Sequence, residues 1–130
     1  MAGLTNFGED LVLDFLFTTG TATRPTSWYI SLYTVAPGEA GGGTEVSGGS
    51  YARTSASFSV SGTAPTTASN SAAVEFAEAS ASWGTVVAAG VMDALSGGNL
   101  IAYADLTVSK AVGTGDVLRF NTGEIDITLD

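Results

Sequence analysis

Trp28-Tyr29-Ile30-Ser31-Leu32-Tyr33 is the stretch that decides how this chain folds. Trp28, Ile30 and Leu32 alternate with Tyr29, Ser31 and Tyr33, in a run rich in aromatic and β-branched residues. That period of two predicts a strand with one face in a core. Downstream, residues 36–50 hold six glycines and one proline, Pro37, so a regular element there is costly. The spacing predicts a long loop, of the kind that is functional or orders on assembly. Alternation resumes at residues 51–60, with Ala52, Thr54, Ala56, Phe58 and Val60 on one face. Residues 61–71, rich in Ser, Thr and Ala, read as a second loop. Val74 and Phe76 mark a short strand. Trp83 to Met92 is another, with Val87, Ala89 and Val91 on one side. Ser96-Gly97-Gly98-Asn99 is a hairpin signal, leading into Leu100, Ala102, Ala104 and Leu106. The closing strand, Ile125, Ile127 and Leu129, is expected to pair with Val117 to Phe120 across the turn at 121–124.

Upstream the period changes to that of a helix over about residues 5–19. Asn6 suits the N-cap, with Glu9 three positions on as in a capping box. Phe7, Leu11 and Phe15 recur four apart, with Val12 and Leu16 alongside, giving one broad apolar face. Gly20 is the expected stop. Seven or eight strands after one N-terminal helix, with turns about every ten residues, predict an all-β fold. We expect an antiparallel β-sandwich, jelly-roll-like in strand count, as one domain over residues 1–130.

Composition narrows the function. The chain has no His and no Cys, and four basic residues stand against 13 acids for a net charge of −9. Imidazole and thiolate carry most hydrolytic, redox and metal chemistry, so no enzyme, no cofactor and no metal site is expected. Without His there is no serine triad. A Ser–Lys dyad would need Lys110, the only lysine, in an expected loop. Arg24, Arg53, Lys110 and Arg119 are scattered singly, which argues against nucleic acid. The apolar run Leu11 to Phe17 is far shorter than the ~20 residues of a membrane span, and neither a signal peptide nor a membrane partner is expected. Glu75, Glu78, Asp105, Asp116, Glu124 and Asp126 show no spacing that selects a catalytic pair, and solvated turn caps explain them. Asp93, Asp116, Glu124 and Asp126 match no calcium-loop pattern. Gly41-Gly42-Gly43 lacks the Lys-Ser/Thr of a phosphate loop. Trp28, Tyr29, Tyr33, Tyr51 and Trp83 are candidates for the core, for a protein contact or for a sugar-stacking surface.

Three stretches together resemble small virion proteins of tailed bacteriophages. They are Gly3 to Phe17; Trp28 to Pro37 with Gly43 to Arg53; and Trp83-Gly84-Thr85-Val86 with Gly98 to Tyr103, through to Ile125-Asp126-Ile127-Thr128-Leu129. The resemblance covers essentially the whole chain. Members of that group are labelled tail-fibre or structural proteins, and related β-sandwich proteins serve as trimeric capsid cement. It implies a virion structural protein made in the host cytoplasm. The first expectation is a capsid cement or decoration protein. It would be a homo-oligomer, with a trimer favoured, clamping neighbouring copies of the major capsid protein. The alternative is a tail-tip or fibre-associated module recognising a host glycan. The expected subunit contacts are Phe7, Leu11 and Phe15 on the helix, Trp28 and Tyr29 on the first long strand, and Pro37, Glu39 and Glu45 in the loop.

Overall fold

The computed structural model describes residues 3–129. The elements run β1 (Gly3–Leu4), α1 (Asn6–Phe17), β2 (Trp28–Val35), β3 (Thr44–Glu45), β4 (Thr54–Ala56), β5 (Phe58–Ser61), β6 (Thr66–Asn70), β7 (Val74–Glu75), β8 (Gly84–Met92), β9 (Leu100–Val112), β10 (Arg119–Phe120) and β11 (Asp126–Leu129). Every pairing is antiparallel. The largest sheet has the order β1-β9-β8-β2-β3, with β4 also on β2. Against it lie the three-stranded β11-β6-β5 and the pair β10-β7. The chain is therefore an all-β antiparallel sandwich with one N-terminal helix, and its layers are unequal.

The core forms where these layers meet. Ile30 and Leu32 of β2 and Val86 of β8 are 0% exposed. They pack with Val46, Val74, Phe76, Trp83, Val91, Val112 and Leu118. Tyr51 stacks on Phe76 at 6.2 Å between ring centres and meets Trp83 edge-on at 5.4 Å. The indole N–H of Trp83 donates to the Gly49 carbonyl at 2.9 Å, so its polar handle is satisfied inside. The reverse face of β2 is closed as well, because Ser31 and Tyr33 are 0% and 5% exposed. Gly90 gives this face room: a Cβ would lie 2.6 Å from Leu100 Cδ1 and 3.0 Å from Ser31 Oγ, so those side chains would have to shift.

Four local expectations are corrected. The segment 61–71 is not all loop, since Thr66–Asn70 forms β6 between β5 and β11. Its β-tendency comes from threonine, without the apolar alternation that marks a strand in sequence. The run 51–60 is split between two sheets, with β4 on β2 and β5 on β6. In β8 the ladder shifts between Val86 and Ala88, which moves Val86, Ala89 and Val91 onto the core side in place of an unbroken Val87-Ala89-Val91 face. Lys110 lies in β9, opposite Val86, and not in a loop.

The expected hairpin of 117–120 with 125–129 also does not form. The turn is there, with the Glu124 N–H donating to the Asn121 carbonyl at 3.0 Å. The strands, however, separate, β10 to β7 and β11 to β6. Asn70, 1% exposed, takes up the bonds between them. Its amide donates to the carbonyls of Ala72 (2.8 Å) and Asn121 (3.0 Å), and its side-chain oxygen accepts from the Ile125 N–H at 2.9 Å.

Candidate functional site

Helix α1 is anchored at one end only. Thr5, not Asn6, is its N-cap, and the Thr5 hydroxyl accepts from the Gly8 N–H at 3.2 Å. The Thr5 N–H donates to the Ile101 carbonyl and the Asn6 N–H to the Glu39 carbonyl, both at 2.9 Å. Gly8 is the one buried residue of the helix, and a Cβ there would collide with the Ile101 carbonyl oxygen. Only glycine lets the helix lie this close to β9.

Beyond that anchor the sandwich does not cover the apolar face of the helix. Leu11 and Val12 are half-buried, whereas Phe7 is 37% exposed, Leu13 57%, Phe15 66%, Leu16 61% and Phe17 77%. Consecutive helical residues are set about 100° apart, so Phe15, Leu16 and Phe17 cover most of the circumference. A helix end with apolar side chains on this much of its surface is normally enclosed. This one ends in Thr18, with extended backbone, so Gly20 is not the left-handed stop expected of it. The Thr18 hydroxyl reaches back to the Asp14 carbonyl (2.8 Å) and carboxylate (2.6 Å). No basic residue lies in the last turn. Asp14 and the negative end of the helix dipole therefore share one tip.

The other expected contact residues have work inside the chain. Trp28 packs on the core cluster, and Tyr29, half-buried, sits between Ser55 and Met92 in the ladder. Pro37 is buried. Glu39 is exposed and holds the start of α1 through its carbonyl. Glu45 is locked to Arg53, whose Nε and Nη2 donate to its two carboxylate oxygens at 2.9 and 2.8 Å. Arg53 Nη1 also donates to the carbonyls of Ala94 (2.9 Å) and Gly97 (2.7 Å). The Tyr51 hydroxyl donates to Glu45 at 2.7 Å and accepts from the Leu32 N–H at 3.0 Å. Burial pushes the Glu45 carboxyl up, but the bonds from Arg53 and Tyr51 outweigh it and hold the group below its ordinary range. Burial raises the Tyr51 phenol, and raises Tyr33 as well. The glycine-rich segment 36–50 is thus pinned within the chain. Nothing in residue spacing revealed this hub, because Arg53 joins two separate segments, at Glu45 and at residues 94–97.

A groove of about 610 Å3 opens between β9 and the turn leading into β11. Its apolar lining includes Ala104, Leu106, Phe120 and Ile125, and Lys110 and Arg119 stand at it. Val86 pairs with Lys110 and Ala88 with Asp105, so residues 106–109 of β9 stand opposite Val87 alone. No residue of α1 lines this groove.

The acids do not converge. Asp93 accepts from the Asn99 backbone at 2.7 Å, Asp116 from the Gly113 N–H at 2.8 Å and Glu124 from the Asn121 N–H at 2.7 Å, each closing its own turn. Glu75 pairs with Arg119 at 3.4 Å on the surface. Among the described residues no three His, Cys, Asp or Glu side chains are placed to hold a metal ion. Tyr33, Tyr51 and Trp83 are taken up by the interior. The aromatic rings left largely in solvent are phenylalanines of α1.

A search of curated proteins finds no match to the chain. A family model described as "Podophage GP4 fiber I protein gp80" matches residues 3–128. The likeness to small structural proteins of tailed phages therefore holds at family level, under a fibre label. An apolar helix end with no cover, on a β-sandwich whose described residues leave no buried side-chain polar atom unbonded, is thus found in a chain that belongs to the podophage GP4 fiber I protein gp80 family.

Proposed function

We propose that this chain is a non-catalytic structural component of a phage fibre, built into the virion through the projecting half of α1. The observation that carries this reading is the exposure of Leu13, Phe15, Leu16 and Phe17, each more than half in solvent. Burying such a side chain is worth roughly 1.5–3 kcal/mol, and the sandwich leaves that gain unused. Contiguous exposed apolar surface marks a site of association. The lack of His and Cys, and carboxylates each bound into its own turn, support adhesion over bond-making. A glycan-binding role has less support, because three of its five candidate rings are used in the interior.

The test is a phage carrying Leu16→Asp with Phe17→Asp. The protein should be made and folded yet missing from purified particles. Gold labelling of the wild-type protein should mark the fibre. Label over the head would overturn the fibre reading in favour of a cement protein bound to the major capsid protein.

A further inference from the structure

Among the described residues, two of the apolar surfaces without a partner are opposite in shape. One is convex, the last two turns of α1. The other is concave, the groove of about 610 Å3 beside β9. We infer that the projecting half of α1 from one copy seats in the β9 groove of a second copy, so that each copy gives one helix and receives one. This rests on the reading of α1 as an assembly element and names its occupant.

Size, charge and area each bear on it. Pockets that enclose a compact ligand run to about 300–1,000 Å3, so the groove has room for two or three large side chains. The helix carries Glu9, Asp10 and Asp14 and no base. Pairing two such helices face to face would bring acid onto acid with nothing to offset it. The groove holds Lys110 and Arg119, two of the four basic residues in the chain, of which Arg119 already pairs with Glu75. Of its three acids, Glu124 is already held by Asn121 and Asp126 by Ser69, while Asp105 lies exposed. Among the described residues Lys110 makes no ion pair, so it is free for Asp14 and the negative helix end. The charge of −9 per copy opposes association at long range, but charges beyond about 8 Å are screened at physiological ionic strength.

A large aromatic side chain buries about 150–250 Å2, so Leu13, Phe15, Leu16 and Phe17 offer on the order of 400 Å2. One junction then buries on the order of 800 Å2 in total, short of the ~1,200 Å2 of a stable pair. Giving and receiving at once doubles what each copy buries. A reciprocal pair or a closed ring therefore holds where a single junction does not.

The absence of native cysteine makes cross-linking clean. Leu16→Cys and Ala104→Cys are prepared separately, mixed and oxidised. The mixture should yield covalent dimer about ten-fold above either variant alone, since a seated pair has a high effective concentration. Leu16→Cys dimers in equal or greater yield would overturn the proposal in favour of helix–helix pairing. A second measurement guards against a silent cross-link. Sedimentation should show an oligomer for the wild-type chain and monomer for both Phe15→Asp and the groove-filling Ala104→Trp. A wild-type monomer at the highest soluble concentration would overturn it too. If that occurs while Leu16→Asp with Phe17→Asp still blocks incorporation into particles, α1 docks on another virion protein, and the proposed function stands without this partner.

Discussion

Strand β2 and helix α1 face opposite fates in the same chain. The four central residues of β2, Ile30 to Tyr33, are at most 5% exposed, covered on both faces by elements of their own sandwich. The four large apolar residues that end α1 are 57–77% exposed. The difference separates completeness from incompleteness. Around β2 even the polar groups are settled: Tyr51 bonds the Leu32 N–H, and Arg53 and Glu45 close the flanking loop. Around α1 only the first turn is settled, by Thr5 and Gly8. Substitutions in the first region should be felt in folding and those in the second in association.

The sharpest test of that division is Leu32→Ala. A cavity in a closed core costs about 2–5 kcal/mol, so the midpoint of chemical unfolding should fall steeply for the monomeric and assembled protein alike. Tyr51→Phe follows. It removes the partner of the Leu32 N–H and one bond to Glu45, and a buried donor left unmet costs about 1–3 kcal/mol. Thermal melts should register it, with the loop 36–50 becoming the first site of proteolysis.

Acid offers a smaller, graded effect. The folded carboxyl of Glu45 lies below its ordinary value, so the unfolded state binds its proton first as pH drops. The stability from this group is fully present above the ordinary glutamate pKa of about 4.3. It is lost as pH falls from there through the lower folded value. Glu45→Gln should flatten that part of the stability curve, and an unchanged curve would mean the ion pair with Arg53 adds nothing. The smallest expected change in stability belongs to Phe17→Asp. Exposed substitutions generally stay within about 0.5 kcal/mol, so at a dilution where both are monomeric its melt should match wild type, while self-association at higher concentration is lost. A large fall in melting temperature would break the comparison, because it would place Phe17 within the fold.

Both elements were legible as patterns, and the fold class followed from them. β2 was placed by its period of two, and Ser96 to Asn99 by its turn chemistry. What a pattern does not carry is the location of the partner surface. Phe7, Leu11 and Phe15 have the spacing of a buried stripe, yet the sandwich closes without covering it. The same limit hid Asn70, whose side chain replaces a hairpin with two bonds to distant backbone and one to nearby Ala72. It hid β6 too, a strand made of threonine, alanine, serine and asparagine and held by backbone pairing on both edges. Pro37 and Glu45 stand in a glycine-rich loop, yet the fold buries the first and ties the second to Arg53.

The account stands on α1 being finished by association. The most direct measurement is the solvent accessibility of position 17 in the virion, read as the labelling rate of Phe17→Cys by a thiol reagent in the free protein and in intact particles. The rate should be fast in the free protein and strongly suppressed in the particle. Equal rates in both would show a helix end left in water after assembly, and would contradict the role given to it here.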